Sequence, residues 1–170
     1  MSIFIVPFFL VPTESTSQGK ILYKLEEGRM SRTDDSGKSW RLLETAPKNI
    51  TLIACSDERP DRIIIAAKGG IQLSTNGGRA WMWTMPPSLE FTPIKIAISS
   101  QNPNVIWLAG ALKNPGGRVY TEIFRSLNGG FVWTHVETSP EPIDNLHMDP
   151  DTPSKFWFGT PNVQSRERGQ

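Results

Sequence analysis

The stretch Ser74-Thr75-Asn76-Gly77-Gly78-Arg79-Ala80-Trp81 decides the fold, because it has two relatives in the same chain. They are Thr33-Asp34-Asp35-Ser36-Gly37-Lys38-Ser39-Trp40 and Ser126-Leu127-Asn128-Gly129-Gly130-Phe131-Val132-Trp133. All three fit the pattern S/T-x-D/N-x-G-x-x-W, which we call the box. The box tryptophans are separated by 41 and 52 residues, and such lengths suit repeated units of four strands.

Each box position has a physical role in a tight turn between two strands. The glycine tolerates a positive φ, the Asp or Asn accepts backbone N–H bonds, and the first hydroxyl adds a bond across the hairpin. The tryptophan begins the returning strand and packs over the turn. The box is thus a structural clasp. Its residues are Thr33, Asp35, Gly37 and Trp40; Ser74, Asn76, Gly78 and Trp81; and Ser126, Asn128, Gly130 and Trp133.

A proline turn before a short apolar strand is the second repeated signal, at Pro60, Pro103 and Pro153. The unit that ends at Trp133 is longer than the others, and its extra length at 111–120 contains LKNPGG, a loop signal. No long amphipathic helix is evident. The predicted strands are 21–25, 28–32 and 39–43 in the first unit, 50–55, 62–67, 70–74 and 80–85 in the second, and 94–99, 105–109, 119–125 and 132–136 in the third.

These boxes resemble the Asp-box, or bacterial neuraminidase repeat, of sialidases, sortilin-type receptors, xyloglucan-cleaving glycosidases and photosystem II assembly-factor-like proteins. The sequence NPNVIWLAG, followed after a gap by IFRSLNGGFVW, is closest to the sortilin and assembly-factor-like branch. The resemblance implies an all-β chain, a β-propeller of four-stranded antiparallel blades. The chain departs from the family at two of its three Asx positions, which hold Asn, and at Ala80 and Val132, where Ser or Thr is common.

One domain with about four blades, or a partial propeller, follows from the spacing. The expected units are 1–46, 47–88, 89–140 and an incomplete 141–170. Ser165, Glu167 and Gly169 would begin a fourth box with Glu in place of Asp. Three alternatives stay open: a fragment of a longer propeller, which we favour, a closed four-blade propeller, and pairing between two chains.

An apolar run at 3–11 admits two interpretations. It has the length of the hydrophobic part of a signal peptide but is too short to span a bilayer, so no transmembrane span is expected. No Lys or Arg precedes it, and Pro7 interrupts any helix. We favour a core strand at 3–10 over an export signal. The localisation stays open, with a weak preference for an extracytoplasmic or secreted protein.

Composition excludes several classes of function. The chain has 18 basic and 17 acidic residues, so it carries no broad field for nucleic acid. The single Cys55 excludes an intrachain disulfide, and His135 and His147 have no metal-ligand spacing with it or with each other. We therefore expect no metal and no cofactor.

Catalytic patterns are weak. Tyr120 and Glu122 share a strand face through their spacing of two, but no arginine motif of the sialidase kind accompanies them. The carboxylates Glu137, Glu141, Asp144, Asp149 and Asp151 cluster in a proline-rich segment that reads as a solvated loop. Trp83 and Trp107 have no box role, and packing between blades is favoured over sugar stacking. No catalytic residue is predicted.

The leading hypothesis is a non-catalytic binding or assembly-scaffold module that recognises a protein or a glycan through face loops. The candidate binding loop contains Lys113, Asn114 and Arg118. The alternative is part of a sialidase-like or xyloglucanase-like glycosidase propeller. Self-association, or contact with the rest of a larger propeller, is a further expectation.

Overall fold

The computed structural model describes residues 19–67, 70–85, 91–143, 145–149, 152–153, 155–160 and 163–168. All regular elements within these ranges are β-strands, which confirms the all-β prediction. They are β1 Leu22–Glu26, β2 Arg29–Thr33, β3 Arg41–Leu42, β4 Ile50–Cys55, β5 Ile63–Ala67, β6 Gly70–Ser74, β7 Met82–Met85, β8 Thr92–Ile98, β9 Ile106–Lys113, β10 Val119–Ser126, β11 Thr134–Ser139, β12 Asn145–Met148, β13 Phe156–Thr160 and β14 Val163–Arg168.

The strands form four antiparallel sheets in which neighbours are consecutive along the chain. Sheet 1 contains β1 to β3, sheet 2 contains β4 to β7, sheet 3 contains β8 to β11, and sheet 4 contains β12 to β14. Sheets 2 and 3 have the expected four strands, whereas sheets 1 and 4 have three strands each in the described ranges. The strand predicted at 3–10 lies outside the described residues.

The returning strand of each hairpin begins one residue after the box tryptophan, not at or before it as predicted. β3 begins at Arg41, β7 at Met82 and β11 at Thr134. The reason is local, because the Asx side chain binds the amide of the residue just before the tryptophan and keeps that residue in the turn. Predicted strand starts at 39, 80 and 132 are therefore too early.

The insertion at 111–120, which contains the loop signal LKNPGG, is half strand and half turn. β9 continues to Lys113 and β10 starts at Val119, with Leu112 opposite Tyr120 and Lys113 opposite Val119. A leucine facing a tyrosine across two strands is a favourable pair, and it extends the ladder beyond the alanines and glycine at 109–111. Only the five residues between these strands form the turn.

Three apolar clusters lie between successive sheets and form the core. Strand β5 is buried on both faces, so Ile63 and Ile65 face sheet 1, while Ile64 and Ala66 face sheet 3. Met30 of sheet 1 meets the first pair. The remaining buried members are Leu43, Ile50 and Ala67 between sheets 1 and 2; Ile71, Leu73, Ile106 and Leu108 between sheets 2 and 3; and Val105, Trp107, Ala109, Ile123, Ile143, Leu146, Phe156 and Phe158 between sheets 3 and 4.

The box tryptophans join neighbouring sheets unequally. Trp133 Nε1 of sheet 3 donates to Thr84 Oγ1 of sheet 2 at 3.1 Å. Trp81 Nε1 of sheet 2 is buried without a hydrogen-bond partner. Thr84 stands three residues after its box tryptophan, and Leu43 holds the same place in sheet 1. The leucine offers no acceptor, which accounts for the unpaired indole N–H of Trp81.

Thr84→Val should remove the acceptor of Trp133 and leave a second indole N–H unpaired. We expect the free energy of unfolding to fall by about 1–3 kcal/mol. Thr84→Ser keeps the hydroxyl and is the matched control. Chemical denaturation measures both, and equal midpoints for the Val and Ser variants would contradict a stabilising role for this bond.

Candidate functional site

In each box, the first hydroxyl and the Asx side chain form hydrogen bonds within the turn. Ser74 Oγ accepts from Gly78 N at 2.9 Å and donates to Asn76 Oδ1 at 3.0 Å. Asn76 Oδ1 accepts from Ala80 N at 2.9 Å. The same pattern recurs at Ser126 and Asn128 and at Thr33 and Asp35. These polar groups bind the backbone of their own turn.

The residue before the box glycine ties the turn to the segment just before β1, β5 or β9 in sheets 1, 2 and 3. The amides of Ser36, Gly77 and Gly129 donate to the carbonyls of Lys20, Asp61 and Asn104 at 3.1, 2.9 and 2.9 Å. All three donors have positive φ. In sheets 1, 2 and 3, the box turn and the segment before β1, β5 or β9 are therefore joined at one end of the sheet.

Two arginines extend this join to the neighbouring sheet. Arg32 of sheet 1 is buried, and its Nη1 lies 2.9 Å from Asp61 Oδ1 in sheet 2. Arg62 of sheet 2 donates from Nη1 to Asn104 Oδ1 of sheet 3 at 2.7 Å. A Cβ placed on Gly77 would lie 2.0 Å from the Arg32 Nη1 atom. Glycine is required there because the guanidinium packs directly on the backbone.

Aromatic side chains make a second cross-sheet bond. Tyr23 Oη donates to the Pro60 carbonyl at 2.9 Å, and Trp107 Nε1 donates to the Pro153 carbonyl at 3.0 Å. Tyr23 and Trp107 are the second residues of β1 and β9, the strands that precede the box hairpins of sheets 1 and 3. Burial raises the pKa of Tyr23 to about 12 against the opposing charge of Arg32. A tyrosine held neutral in this way is a donor and not a nucleophile.

The expected fourth box has a different backbone register from the other three. Ser74 and Ser126 stand opposite the first residue of the second strand, but Ser165 and Glu167 lie inside β14, and Arg168 is opposite Phe156. Gly169 lies outside the described residues. The turn predicted to begin at Ser165 thus differs from the observed strand, which continues to Arg168.

The candidate binding loop forms the tip of the β9–β10 hairpin, opposite the box end of sheet 3. Asn114 N donates to the Arg118 carbonyl at 3.0 Å, and Asn114 Oδ1 accepts from Arg118 N at 2.9 Å. Arg118 Nη2 reaches the Pro140 carbonyl at 3.3 Å. Lys113 and Arg118 are exposed, whereas Asn114 serves the turn. The loop is a braced tip with two cations in solvent.

Sequence reasoning did not foresee a cluster at Glu122, His135 and Thr138. The Glu122 carboxylate contacts His135 Nε2, and Thr138 Oγ1 lies 3.0 Å from Glu122 Oε2 and 3.2 Å from His135 Nε2. The pairing of β10 with β11 brings these residues together. Tyr120 lies in the same strand as Glu122. The hydrogen bonds of the described residues include none between these two side chains.

The other candidate residues are dispersed. Trp107 is buried in the core and Trp83 is half exposed on β7. His147 stacks on Trp157 with ring centroids 6.4 Å apart. Glu141 is exposed, Asp149 Oδ1 accepts from Thr152 N, and Asp144 and Asp151 lie outside the described residues.

The described part of the chain lacks both a metal-binding group of side chains and a membrane-spanning helix. No group of three His, Cys, Asp or Glu side chains there is arranged to hold a metal ion. Nor does that part contain a helix with the length and hydropathy to cross a bilayer.

Comparison with known proteins gave matches among solved structures alone: no family model and no curated protein matches. An ancestral GH74 enzyme superposes with a TM-score of 0.63 and 18% identity, covering 86% of this chain and 21% of that one. The GH74 enzyme of Niastella koreensis gives 0.50 and 14%, covering 84% and 33%. YCF48 bound to D1 peptide gives 0.43 and 17%, covering 82% and 58%.

The two GH74 similarities show the fold, a β-propeller, and a partial propeller fits the four sheets. This chain spans about a fifth and a third of those two proteins. Identities this low carry no function with them.

Asp35→Asn tests the contribution of the ionised carboxylate in the first box, since the Asx positions of the other two boxes hold Asn. Hydrogen bonds from the hydroxyls of Ser39 and Thr33 hold the pKa of Asp35 well below its ordinary value. Ionised Asp35 therefore stabilises the fold above the ordinary carboxyl pKa of about 3.9, and this contribution is lost as the pH falls through the lower folded-state pKa. We expect the variant to lose stability less steeply below about pH 4.

Asn76→Asp is the reciprocal variant and should steepen the same acid limb. Denaturant midpoints measured along a pH series check both. Parallel curves for the wild type and the two variants would contradict this account of the first box.

Gly77→Ala tests the contact between Arg32 and the second box. A left-handed alanine costs about 1–2 kcal/mol, and displacing a charge-assisted hydrogen bond adds about 1.5–3 kcal/mol. Gly37→Ala is the matched control, because its added Cβ would meet only the Trp40 ring at 3.7 Å. Thermal and denaturant unfolding should show the larger loss for Gly77→Ala, and equal losses would remove the proposed steric role of the guanidinium.

Proposed function

We propose that this chain is a non-catalytic binding or assembly-scaffold module built from Asp-box blades, and that the β9–β10 hairpin contacts its protein or glycan partner. The proposal rests on the length by which this hairpin exceeds the corresponding hairpin of sheet 2. Strands β9 and β10 have eight residues each, against five in β5 and β6 of sheet 2. Three further residues at about 3.3 Å each extend the hairpin by about 10 Å.

The hairpin is also braced, which limits the entropy lost on binding. Asn114 closes the turn, and Arg118 is fixed to the Pro140 carbonyl. At its base, Thr121 Oγ1 donates to the Glu141 carbonyl at 3.3 Å and accepts from Ile143 N at 3.3 Å. Rigid elements that carry an exposed tip are the usual support of a binding loop.

Side-chain geometry supports the non-catalytic assignment. The box hydroxyls and Asx groups are bound to their own turns, and Tyr23 is held neutral. Glu122 is already paired with His135 and Thr138. The glycosidase alternative stays a prediction that rests on a shared fold, and a shared fold does not specify chemistry.

A photo-cross-linking residue in place of Gly116, at the exposed tip, should capture the partner at the hairpin. The same residue in place of Lys38, in a box turn at the far end of sheet 1, is the control. Cross-linked products, or glycan-array signals lost when 114–118 is replaced by Asn-Gly, support the proposal. Equal products from both positions, with array signals unchanged, would refute it.

The catalytic alternative is tested separately with xyloglucan and sialosides as substrates. We expect no hydrolysis above the blank. Hydrolysis that Glu122→Gln abolishes would overturn the non-catalytic assignment.

A further inference from the structure

We infer that the β9–β10 hairpin takes an acidic peptide segment in extended conformation, an inference that rests on the proposed function and names the class of its partner. The residues from 111 to 121 contain Lys113 and Arg118 and no acidic residue. Both side chains are exposed, so both can meet a partner without first losing buried contacts.

The two cations lack a carboxylate partner among the described residues, unlike Lys24 and Arg32 of sheet 1. There, Lys24 pairs with Glu26, and Arg32 pairs with Asp34 and Asp61. Neither Lys113 nor Arg118 lies within ion-pair distance of a described carboxylate, and the contact of Arg118 is to a neutral carbonyl. The nearest acid along β10, Glu122, is engaged by His135.

Each cation is nevertheless placed by the hairpin. The Cε atom of Lys113 lies beside the turn, 3.8 Å from the position that a Cβ added to Gly117 would take. The guanidinium of Arg118 is turned toward β11 by Pro140. Both positive charges therefore lie at the tip of the hairpin, an arrangement that suits more than one carboxylate along a segment.

An extended conformation follows from the strand edge. The pairing of β10 with β11 ends at Thr121 opposite Ser139, so the described ladder leaves Val119 and Tyr120 without a strand on that side. Val119 is also 37% exposed. A segment that continued the line of β11 would gain backbone hydrogen bonds there and cover the valine, with Arg118 at its flank.

The test uses the full chain and a short fluorescein-labelled peptide of alternating glutamate and valine, followed by anisotropy. We expect binding that weakens with added salt and falls about tenfold or more in Lys113→Glu/Arg118→Glu. Lys38→Glu/Arg79→Glu makes the same change in net charge at exposed residues of the box turns and should bind as the wild type does. The affinity of Lys113→Gln/Arg118→Gln for the peptide should lie between those of the wild type and of Lys113→Glu/Arg118→Glu.

The inference is overturned if the acidic peptide fails to bind, if both charge reversals weaken it equally, or if a lysine-valine peptide binds as tightly. The outcome for the proposed function can be distinguished from the outcome for this inference. A cross-link from position 116 that persists in Lys113→Glu/Arg118→Glu would preserve the hairpin as the contact site while refuting an acidic partner, whereas loss of all position-dependent cross-linking in the wild type would refute both.

Discussion

A hydroxyl that accepts two backbone amides holds each box turn, and the contacts between the sheets depend on it. When Ser74 fixes Gly78 and Asn76 fixes Ala80, the backbone at Gly77 is presented to the side chains of sheet 1. Arg32 can then pack on that glycine and reach Asp61. A local turn thus determines a long-range contact, because the arginine needs both the bare backbone and the fixed carboxylate.

The apolar clusters supply most of the stabilising area between the sheets, and the polar bonds determine their alignment. Burial in the clusters is not directional, so sliding one sheet against another changes it little. Bonds from Tyr23 to Pro60 and from Trp107 to Pro153 require one relative position. Where Leu43 replaces the acceptor, the buried indole N–H of Trp81 stays unpaired, which lowers the free energy of unfolding.

Much of the fold was predictable because the box is a local motif. Its turn bonds involve residues within four positions of one another, so sequence spacing specifies them, and the strands 50–55 and 70–74 were predicted with their observed bounds. The length of the β9–β10 hairpin was not, since LKNPGG is a turn signal that does not say where pairing stops. The pair of Arg32 with Asp61, and the cluster at Glu122 and His135, depend on register and sheet packing that no short pattern contains.

The cross-sheet bonds have a consequence for how such repeats can be rearranged. Sheet 1 binds its successor through Arg32 and Asp61, sheet 2 through Arg62 and Asn104, and sheet 3 through Trp107 and the Pro153 carbonyl. Asp61 and Asn104 hold equivalent places, because each accepts the box-turn amide of its own sheet. If sheet 3 stood beside sheet 1 in place of sheet 2, Arg32 would meet the neutral amide of Asn104 in place of the Asp61 carboxylate, and the ion pair would be lost. The charge of the contact at each junction therefore depends on which two units are neighbours, and a change in the order of the repeats would alter it.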